Sequence, residues 1–309
     1  MEEKDHITIN QIADEAKVSI ATVSRVLNGN ATVSPERKKR VEEVIKKYNF
    51  SPNALARGLI SRQTKTIGVV LPDISNPYFS SMFLEIERSA LEAGYTLLLC
   101  NTLFGGSSHG IRNTKEESYY FQMLTDKQVD GVLIIGGQVD LTTVDDNYKQ
   151  ALKRLSSQLP VVVIGKELED INCIFIHPEN GQGNEELIAL SDYYTGDGYS
   201  AINTLVSRNT SFTAFLAIND NVALGAERAL LDLSIKVPED VAVISCDQFL
   251  TGEYHIPRLT SINQHHDLLA RLVINTLISA IKGNSSSPKF SLTPELVIRE
   301  SCGTHMGIR

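Results

Sequence analysis

Residues 8–59, TINQIADEAKVSIATVSRVLNGNATVSPERKKRVEEVIKKYNFSPNALARGL, contain the signals that decide how the first part of the chain folds. Thr8 followed by Gln11 is typical of a capping box at a helix start. Ser19 can cap a second helix, and Ser34 with Pro35 at the first helical position can begin a third. Apolar residues recur at helical spacing in the three segments: Ile9, Ile12, Ala13 and Ala16, then Val23, Val26 and Leu27, then Val41, Val44, Ile45 and Tyr48. We therefore predict a small all-α head with one core.

The outward face of the second helix carries small or hydrogen-bonding side chains, which are Ile20, Ala21, Thr22, Ser24, Arg25 and Asn28. The guanidinium of Arg25 can donate two hydrogen bonds to guanine in the major groove of DNA. Short polar groups near helix starts suit phosphate oxygens, and here they are Thr8, Ser19, Thr22 and Asn28. This pattern indicates a helix-turn-helix, although a plain three-helix bundle with a polar surface also fits the spacing. Lys17 falls in the turn, where a positive φ would cost a lysine roughly 1 kcal/mol.

Three motifs in this segment carry a resemblance to a known family. They are VSIATVSRVLN (18–28), VSPERKKR (33–40) and FSPNALARGL (50–59). Together they resemble the N-terminus of the lactose/galactose-repressor family of bacterial transcription regulators. The resemblance implies that Ile20, Ala21 and Arg25 read bases, and that the phosphate-suited residues above contact the DNA backbone.

Residues 51–60, SPNALARGLI, allow two or three helical turns and include Gly58, so a helix here is marginal by itself. From these residues alone a simple linker is the favoured interpretation. The family resemblance instead implies a hinge helix, which pairs across a dimer and inserts Leu59 into the minor groove as a wedge. Asn53, Ala56 and Arg57 would lie beside that wedge.

The charge distribution separates this head from the rest of the 309 residues. Residues 1–65 carry a net charge of +4 and residues 66–309 carry −12, which sum to the −8 of the whole chain. A basic head on an acidic body favours a polyanionic partner for the head. We predict a head at 1–50, a hinge and linker at 51–66, and a body at 67–309.

In the body, short apolar runs alternate with amphipathic stretches, as in TIGVVLP (66–72), TLLLC (96–100), DGVLIIGG (130–137) and PVVVIG (160–165). Such alternation predicts parallel sheets covered by helices on both faces. A second series begins at FTAFLAIND (212–220) and ends with ELVIRESC (295–302). We therefore predict two α/β lobes that face a cleft, where ligands lie beyond the carboxyl ends of the strands.

The body also resembles the family, whose core is built like the periplasmic sugar-binding proteins. By this resemblance an effector cleft is lined by Asp73, Tyr78, Phe79, Tyr193, Asn219, Asp220, Asp247 and Gln264. Aromatic faces with carboxylate and amide groups suit a polyhydroxylated ring. Structural roles compete with this interpretation, since Tyr78 and Phe79 could simply pack at a helix start. Asp73 and Asp247 could cap helices, and Asn219 with Asp220 could form a turn.

One departure from the family concerns the second lobe. CIFIH (173–177) and the strand-like LIALSDY (187–193) are separated by nine residues, which is too few for a parallel crossover. The family ordinarily places a block of order forty residues here, by helix and strand lengths, including an arginine that anchors the ligand. We expect that a segment is absent between Gly183 and Asn184, with a truncated lobe or an antiparallel hairpin as alternatives.

These features favour a cytoplasmic, dimeric, sequence-specific DNA-binding repressor, which binds a palindromic operator and is controlled by a small molecule, a sugar or sugar derivative. A catabolite-control regulator that binds a phosphorylated carrier protein is one alternative, and a sugar-binding receptor without DNA binding is another. We expect no catalytic residues, cofactor or metal site, because no nucleophile–base pair or metal-ligand spacing is recognisable. No membrane association is expected, since no apolar stretch approaches ~18 residues.

Overall fold

The computed structural model describes residues 7–27, 33–48, 50, 63–103, 116–141, 143–176, 188–189, 193–209, 211–248, 250–284 and 292–304. The chain divides into two compact units, Met1–Thr64 and Lys65–Arg309. We call them the head and the body.

The head contains the three predicted helices, α1 (Ile9–Glu15), α2 (Ile20–Leu27) and α3 (Pro35–Lys47). Their shared core is centred on Ile12, Val23 and Val41, which are fully buried. Between α1 and α2 the chain turns at Lys17, whose φ of +54° confirms the expected left-handed turn. The three helices therefore bury one small apolar cluster, which confirms the helical prediction for the described residues.

Two details of the third helix were predicted incorrectly. Ser34 is at the N-cap position, but its side chain makes no capping hydrogen bond. Tyr48 is 44% exposed instead of facing inward, because α3 ends at Lys47 and the helical spacing stops there. Phe50 packs against the core after the helix has ended.

The first sheet of the body has five parallel strands, β1 (Thr66–Leu71), β2 (Thr96–Asn101), β3 (Gly131–Ile135), β4 (Val161–Ile164) and β5 (Ile174–Ile176). Their order is β2-β1-β3-β4-β5. The chain forms α4 (Pro77–Glu92), α5 (Glu116–Asp126) and α6 (Asp146–Gln158) between these strands. Separate apolar clusters on the two sides confirm a sheet buried on both faces.

The second sheet has the order β6 (Ala214–Ala217), β7 (Ala242–Cys246), β8 (Thr260–Asn263) and β9 (Glu295–Val297). Strands β6, β7 and β8 are parallel as predicted, and the edge strand β9 runs antiparallel to β8. The helices of this lobe are α7 (Thr195–Ser207), α8 (Asp220–Asp232) and α9 (Leu250–Glu253). Helices α7 and α8 cross closely, with Gly198 of α7 against the backbone of Val222.

The last long helix, α10 (His266–Ile281), follows β8 of the second sheet but packs against the first one. Its residues Ala270, Val273 and Leu277 are buried in the same cluster as Leu133 of β3. The chain therefore returns from the second lobe to the first, and it connects the two lobes at the carboxyl end of β8.

The strand-like run 187–193 does not form a strand at its described positions Ile188, Ala189 and Tyr193. Its other residues, and the junction of Gly183 with Asn184, lie outside the described residues. In the described part of the chain, no helix has both the length and the apolar character needed to cross a membrane.

Candidate functional site

The predicted DNA-reading side chains lie on the surface of the head. Ile20 is 51% exposed, and Ala21 and Arg25 are also exposed, while Val23 on the same helix is fully buried. Thr22 and Ser24 are partly buried. Helix α2 therefore presents a mixed apolar and hydrogen-bonding face, including one guanidinium, on a helix that the head core holds in place.

The hydroxyl groups predicted to contact phosphate also cap the helices. Thr8 Oγ1 accepts a hydrogen bond from the backbone N–H of Gln11, and the Gln11 side chain accepts one from the backbone N–H of Thr8, at 2.7 Å. Ser19 Oγ accepts a hydrogen bond from the backbone N–H of Thr22 at 3.2 Å and lies 2.9 Å from its Oγ1. Thr8 and Ser19 remain exposed, so both hydroxyls can also reach an external acceptor.

The remaining predicted DNA contacts, Asn28, Asn53, Ala56, Arg57 and Leu59, lie outside the described residues.

In the body, Asp73 follows β1 and is largely buried. Its Oδ1 accepts hydrogen bonds from the backbone N–H and the hydroxyl of Ser75, at 2.9 and 2.7 Å. Its Oδ2 accepts a hydrogen bond at 2.6 Å from the hydroxyl of Tyr194, which precedes α7 in the second lobe. The Asp73–Tyr194 bond therefore bridges the two lobes across the predicted cleft. Sequence reasoning singled out Tyr193 and missed its neighbour Tyr194.

Asn219 and Asp220 follow β6, and both are almost completely buried. Asn219 Oδ1 accepts a hydrogen bond from the backbone N–H of Val222 at 2.8 Å, and its Nδ2 donates to the backbone oxygen of Tyr193 at 3.1 Å. The carboxylate of Asp220 accepts hydrogen bonds from the hydroxyls of Ser245 and Ser261. These contacts give both residues a structural role in the described cleft, as helix cap and as link between strands.

Asp247 follows β7 in a left-handed backbone conformation, with φ +98°. Gln264, which follows β8, donates a hydrogen bond from Nε2 to Asp247 Oδ1 at 2.7 Å. Burial, and then the nearby charge of Asp220, raise the pKa of Asp247 to about 8. A carboxyl group with such a pKa is largely protonated at neutral pH, so it can donate a hydrogen bond as well as accept one.

The aromatic residues of the predicted cleft have different environments. Phe79 is buried in the core of the first lobe, which supports its structural role. Tyr78 packs edge-on against Phe79 and against the ring of His266, with centroid distances of 5.1 and 5.2 Å. Burial raises the pKa of Tyr78 and lowers that of His266 to about 4, so both rings are neutral near pH 7. Tyr193 is 44% exposed and can offer a ring face to a ligand.

The structure therefore joins Asp73 with Tyr194, Asp247 with Gln264, and Asn219 with the backbone of Tyr193. Within the described residues, no group of three or more His, Cys, Asp or Glu side chains could hold a metal ion.

A helix-turn-helix head with a two-lobed α/β body defines a ligand-controlled regulator architecture. Residues 8–53 match the family model for bacterial regulatory proteins of the lacI family, and residues 176–302 match a periplasmic binding protein-like domain. The chain is 32% identical to catabolite control protein A of Staphylococcus epidermidis, over 84% of this chain and 87% of that protein. The chain belongs to the lacI family, and it is a DNA-binding regulator of transcription.

Solved structures share the fold. The lac repressor dimer bound to operator and the anti-inducer ONPF matches with a TM-score of 0.78 at 21% identity, covering 96% of this chain and 99% of that chain. The complex of the transcriptional regulator CelR with cellobiose matches with a TM-score of 0.65 at 24% identity, over the same shares of the two chains.

The alignment with the Staphylococcus epidermidis protein extends over 302 positions but takes in 84% of these 309 residues, which is about 260. About 40 aligned positions therefore have no residue of this chain opposite them.

Proposed function

We propose that this chain is a transcription repressor that binds a palindromic operator as a homodimer and responds to a small molecule held between the lobes of its body. The observation that carries the proposal is the face of α2, where Ile20, Ala21 and Arg25 are exposed on a helix with a buried Val23. A side-chain set of this kind, held by a compact three-helix core, suits direct readout in the major groove.

Dimerisation follows from the size of the head. One helix-turn-helix covers only a half-site, so a two-fold operator requires two heads. The hinge helix proposed for 51–60 would pair with its copy and place Leu59 in the minor groove, with Asn53, Ala56 and Arg57 beside it. The lac repressor structure, described as a dimer bound to operator, supports this arrangement.

The effector site lies between the carboxyl ends of the strands in the two lobes. Asp247 and Gln264 supply a carboxyl and an amide in direct contact, Asp73 supplies a second carboxyl, and Tyr193 supplies a ring face. Such groups suit a sugar or sugar derivative, and the cellobiose complex of CelR supports this class of ligand. A ligand that binds the closed lobes more tightly than the open ones would shift the population between DNA-competent and DNA-incompetent states.

A binding assay with the full chain tests this proposal. A fluorescent operator, selected from duplexes of the host genome, is titrated with the protein in the presence of single sugars and sugar phosphates. We expect at least one compound to change the operator affinity by about 5-fold or more, the usual size of allosteric coupling. An affinity that none of the compounds changes would contradict control by a carbohydrate.

As a second candidate we propose a catabolite-control regulator, in which the body binds a phosphorylated carrier protein. The 32% identity to catabolite control protein A of Staphylococcus epidermidis supports the catabolite-control class. The same titration with the host's phosphocarrier protein, phosphorylated and unphosphorylated, separates the candidates. A change of operator affinity with the phosphorylated form alone would support the second.

We propose further that the segment absent between Gly183 and Asn184 accounts for the aligned positions without a counterpart in this chain. Intact mass spectrometry of the protein expressed from its natural gene tests this. A mass of 34.0 kDa would show that the chain truly lacks the segment, and a heavier chain would show that the segment exists. We also propose that the protein acts in the cytoplasm and has no enzymatic activity.

A further inference from the structure

A groove of about 500 Å³ lies on the head where the end of α1, the start of α2 and one face of α3 meet. We call it the basic groove. Its charged and hydroxyl-bearing lining residues are Asp14, Lys17, Ser19, Thr22, Arg37 and Arg40. Three cationic side chains and one carboxylate give the groove an excess of positive charge, and the two hydroxyls lie at the start of the proposed reading helix.

Two lysines of α3 form ion pairs in the described structure, whereas the two arginines of the basic groove do not. Lys38 pairs with Glu42 at 3.7 Å and Lys47 pairs with Glu15 at 2.6 Å. Among the described residues of the head, neither Arg37 nor Arg40 lies within ion-pair distance of a carboxylate. Within the described part of the head, no ion pair therefore neutralises the charges of these two arginines.

Arg40 carries a second, independent signal. Its Nε is buried from solvent and has no hydrogen-bond partner. A buried donor without an acceptor is unfavourable, and a charged one more so, so the guanidinium of Arg40 favours a nearby oxygen acceptor. The guanidinium presents its donors as a planar fork that matches the oxygens of a phosphate group.

The presence of a lysine at position 17 also indicates that positive charge is functional in the basic groove. It occupies the turn with φ +54°, a conformation that glycine adopts without strain and lysine does not. The turn thus accepts a conformational cost at a cationic residue that lines the basic groove.

We propose that the basic groove binds a phosphate group of the DNA backbone on the flank of α2, through Arg37, Arg40 and Lys17. This inference rests on the proposed DNA binding of the head. It adds three contacts to the phosphate contacts predicted for Ser19 and Thr22. The groove contributes affinity and register on the duplex and does not discriminate between sequences.

The experiment measures the salt dependence of binding to random-sequence duplex DNA with the full chain, by fluorescence anisotropy between about 50 and about 200 mM salt. The test variants are Arg37→Gln and Arg40→Gln. The matched control is Lys39→Gln, because Lys39 is exposed on the same helix, carries the same charge and does not line the groove.

Each test variant should lower the slope of log K against log salt by about 0.9, the value for one lost phosphate contact. The control should keep a slope close to that of the natural chain. Arg40→Lys retains a charge and should keep most of the slope. Its circular dichroism should match that of the natural chain, which would show that a change at this position leaves the head folded. If Arg40→Gln is unfolded, Arg37→Gln alone carries the comparison.

Equal slopes for Arg37→Gln, Arg40→Gln and Lys39→Gln would overturn the inference while the proposed DNA binding stands. If the natural chain binds no duplex at all, the proposed function itself fails, and this inference fails with it.

Discussion

The close crossing of α7 and α8 makes Gly198→Ala a sharp test of the second lobe. A Cβ at position 198 would lie 2.0 Å from the backbone oxygen of Val222, and one at Gly225 would lie 1.8 Å from the backbone oxygen of Thr195. The atoms that either Cβ would contact belong to the backbone, so no change of side-chain rotamer can relieve the overlap. Two nonbonded heavy atoms need a separation of about 3.5 Å, which means that the helices must move apart by about 1.5 Å.

The cost follows from this geometry. Extra methyl groups in well-packed cores cost about 1–3 kcal/mol, occasionally more, and a backbone obstacle places Gly198→Ala near the upper end, at about 3 kcal/mol. For a body of this size each kcal/mol lowers the midpoint of thermal unfolding by ~2–4 °C, so we expect a fall of about 6–12 °C. The displacement would also move Tyr194 at the start of α7 away from Asp73.

The assay is thermal unfolding of the full chain, followed by circular dichroism and calorimetry. Gly196→Ala is the matched control, because it lies on the same helix and a Cβ there meets nothing within 4 Å. This control should leave the midpoint unchanged or raise it slightly, since alanine is the better helix former. If Gly198→Ala and Gly196→Ala have the same midpoint, the close crossing of these helices is refuted.

Three further variants test the reading face and the cleft. Arg25→Ala should lose about 1–3 kcal/mol of binding free energy on the selected operator and much less on random duplex, in a gel-shift assay at fixed salt. Tyr194→Phe removes a 2.6 Å hydrogen bond to a carboxylate, so urea denaturation should show a loss of about 1–3 kcal/mol. The folded state raises the pKa of Asp247 to about 8, above the ordinary value of roughly 4, so the folded protein holds this proton more tightly than the unfolded chain does. The stability that this tightly held proton contributes is complete below pH ~4 and is lost as the pH rises to about 8. The thermal midpoint of the natural chain should therefore fall between pH ~5 and ~9, and the fall should be smaller in Asp247→Asn.

A specific outcome would contradict each of these three predictions. An equal loss on operator and random duplex would show that Arg25 does not read bases. An unchanged unfolding free energy for Tyr194→Phe would mean that the Asp73 bond does not hold the lobes together. If the decline with pH is as steep in Asp247→Asn as in the natural chain, it belongs to the other carboxyl groups whose pKa is raised by burial, which among the described residues are Glu117, Asp140 and Glu227.

Local signals predicted the parts of the fold that depend on a few neighbouring residues. The capping box of Thr8 and Gln11 and the left-handed turn at Lys17 are set within one helical turn, and both are present. The long apolar runs that form β1 and β3 were also predicted, because full burial in a parallel sheet requires such runs.

The features that were missed depend on distant parts of the chain. The direction of β9 is set by its pairing with β8, whose short and polar sequence TSIN gives little strand signal. The return of α10 to the first lobe depends on which sheet accepts its apolar face, and the face itself does not specify this. The partnership of Tyr194 with Asp73 joins residues 121 positions apart. For Asn219 the sequence allowed a ligand contact or a turn with Asp220, and the structure instead shows a helix cap.

We propose that the exposed face of α2, around Ile20, Ala21 and Arg25, reads base edges in two related half-sites. The most direct measurement is selection from a fully randomised duplex library by the purified full chain, followed by sequencing. We expect the natural chain to enrich a palindromic sequence. The Arg25→Ala variant should lose the base preference at one position of each half-site. A library that remains unenriched, or an enriched sequence that Arg25→Ala selects unchanged, would contradict it.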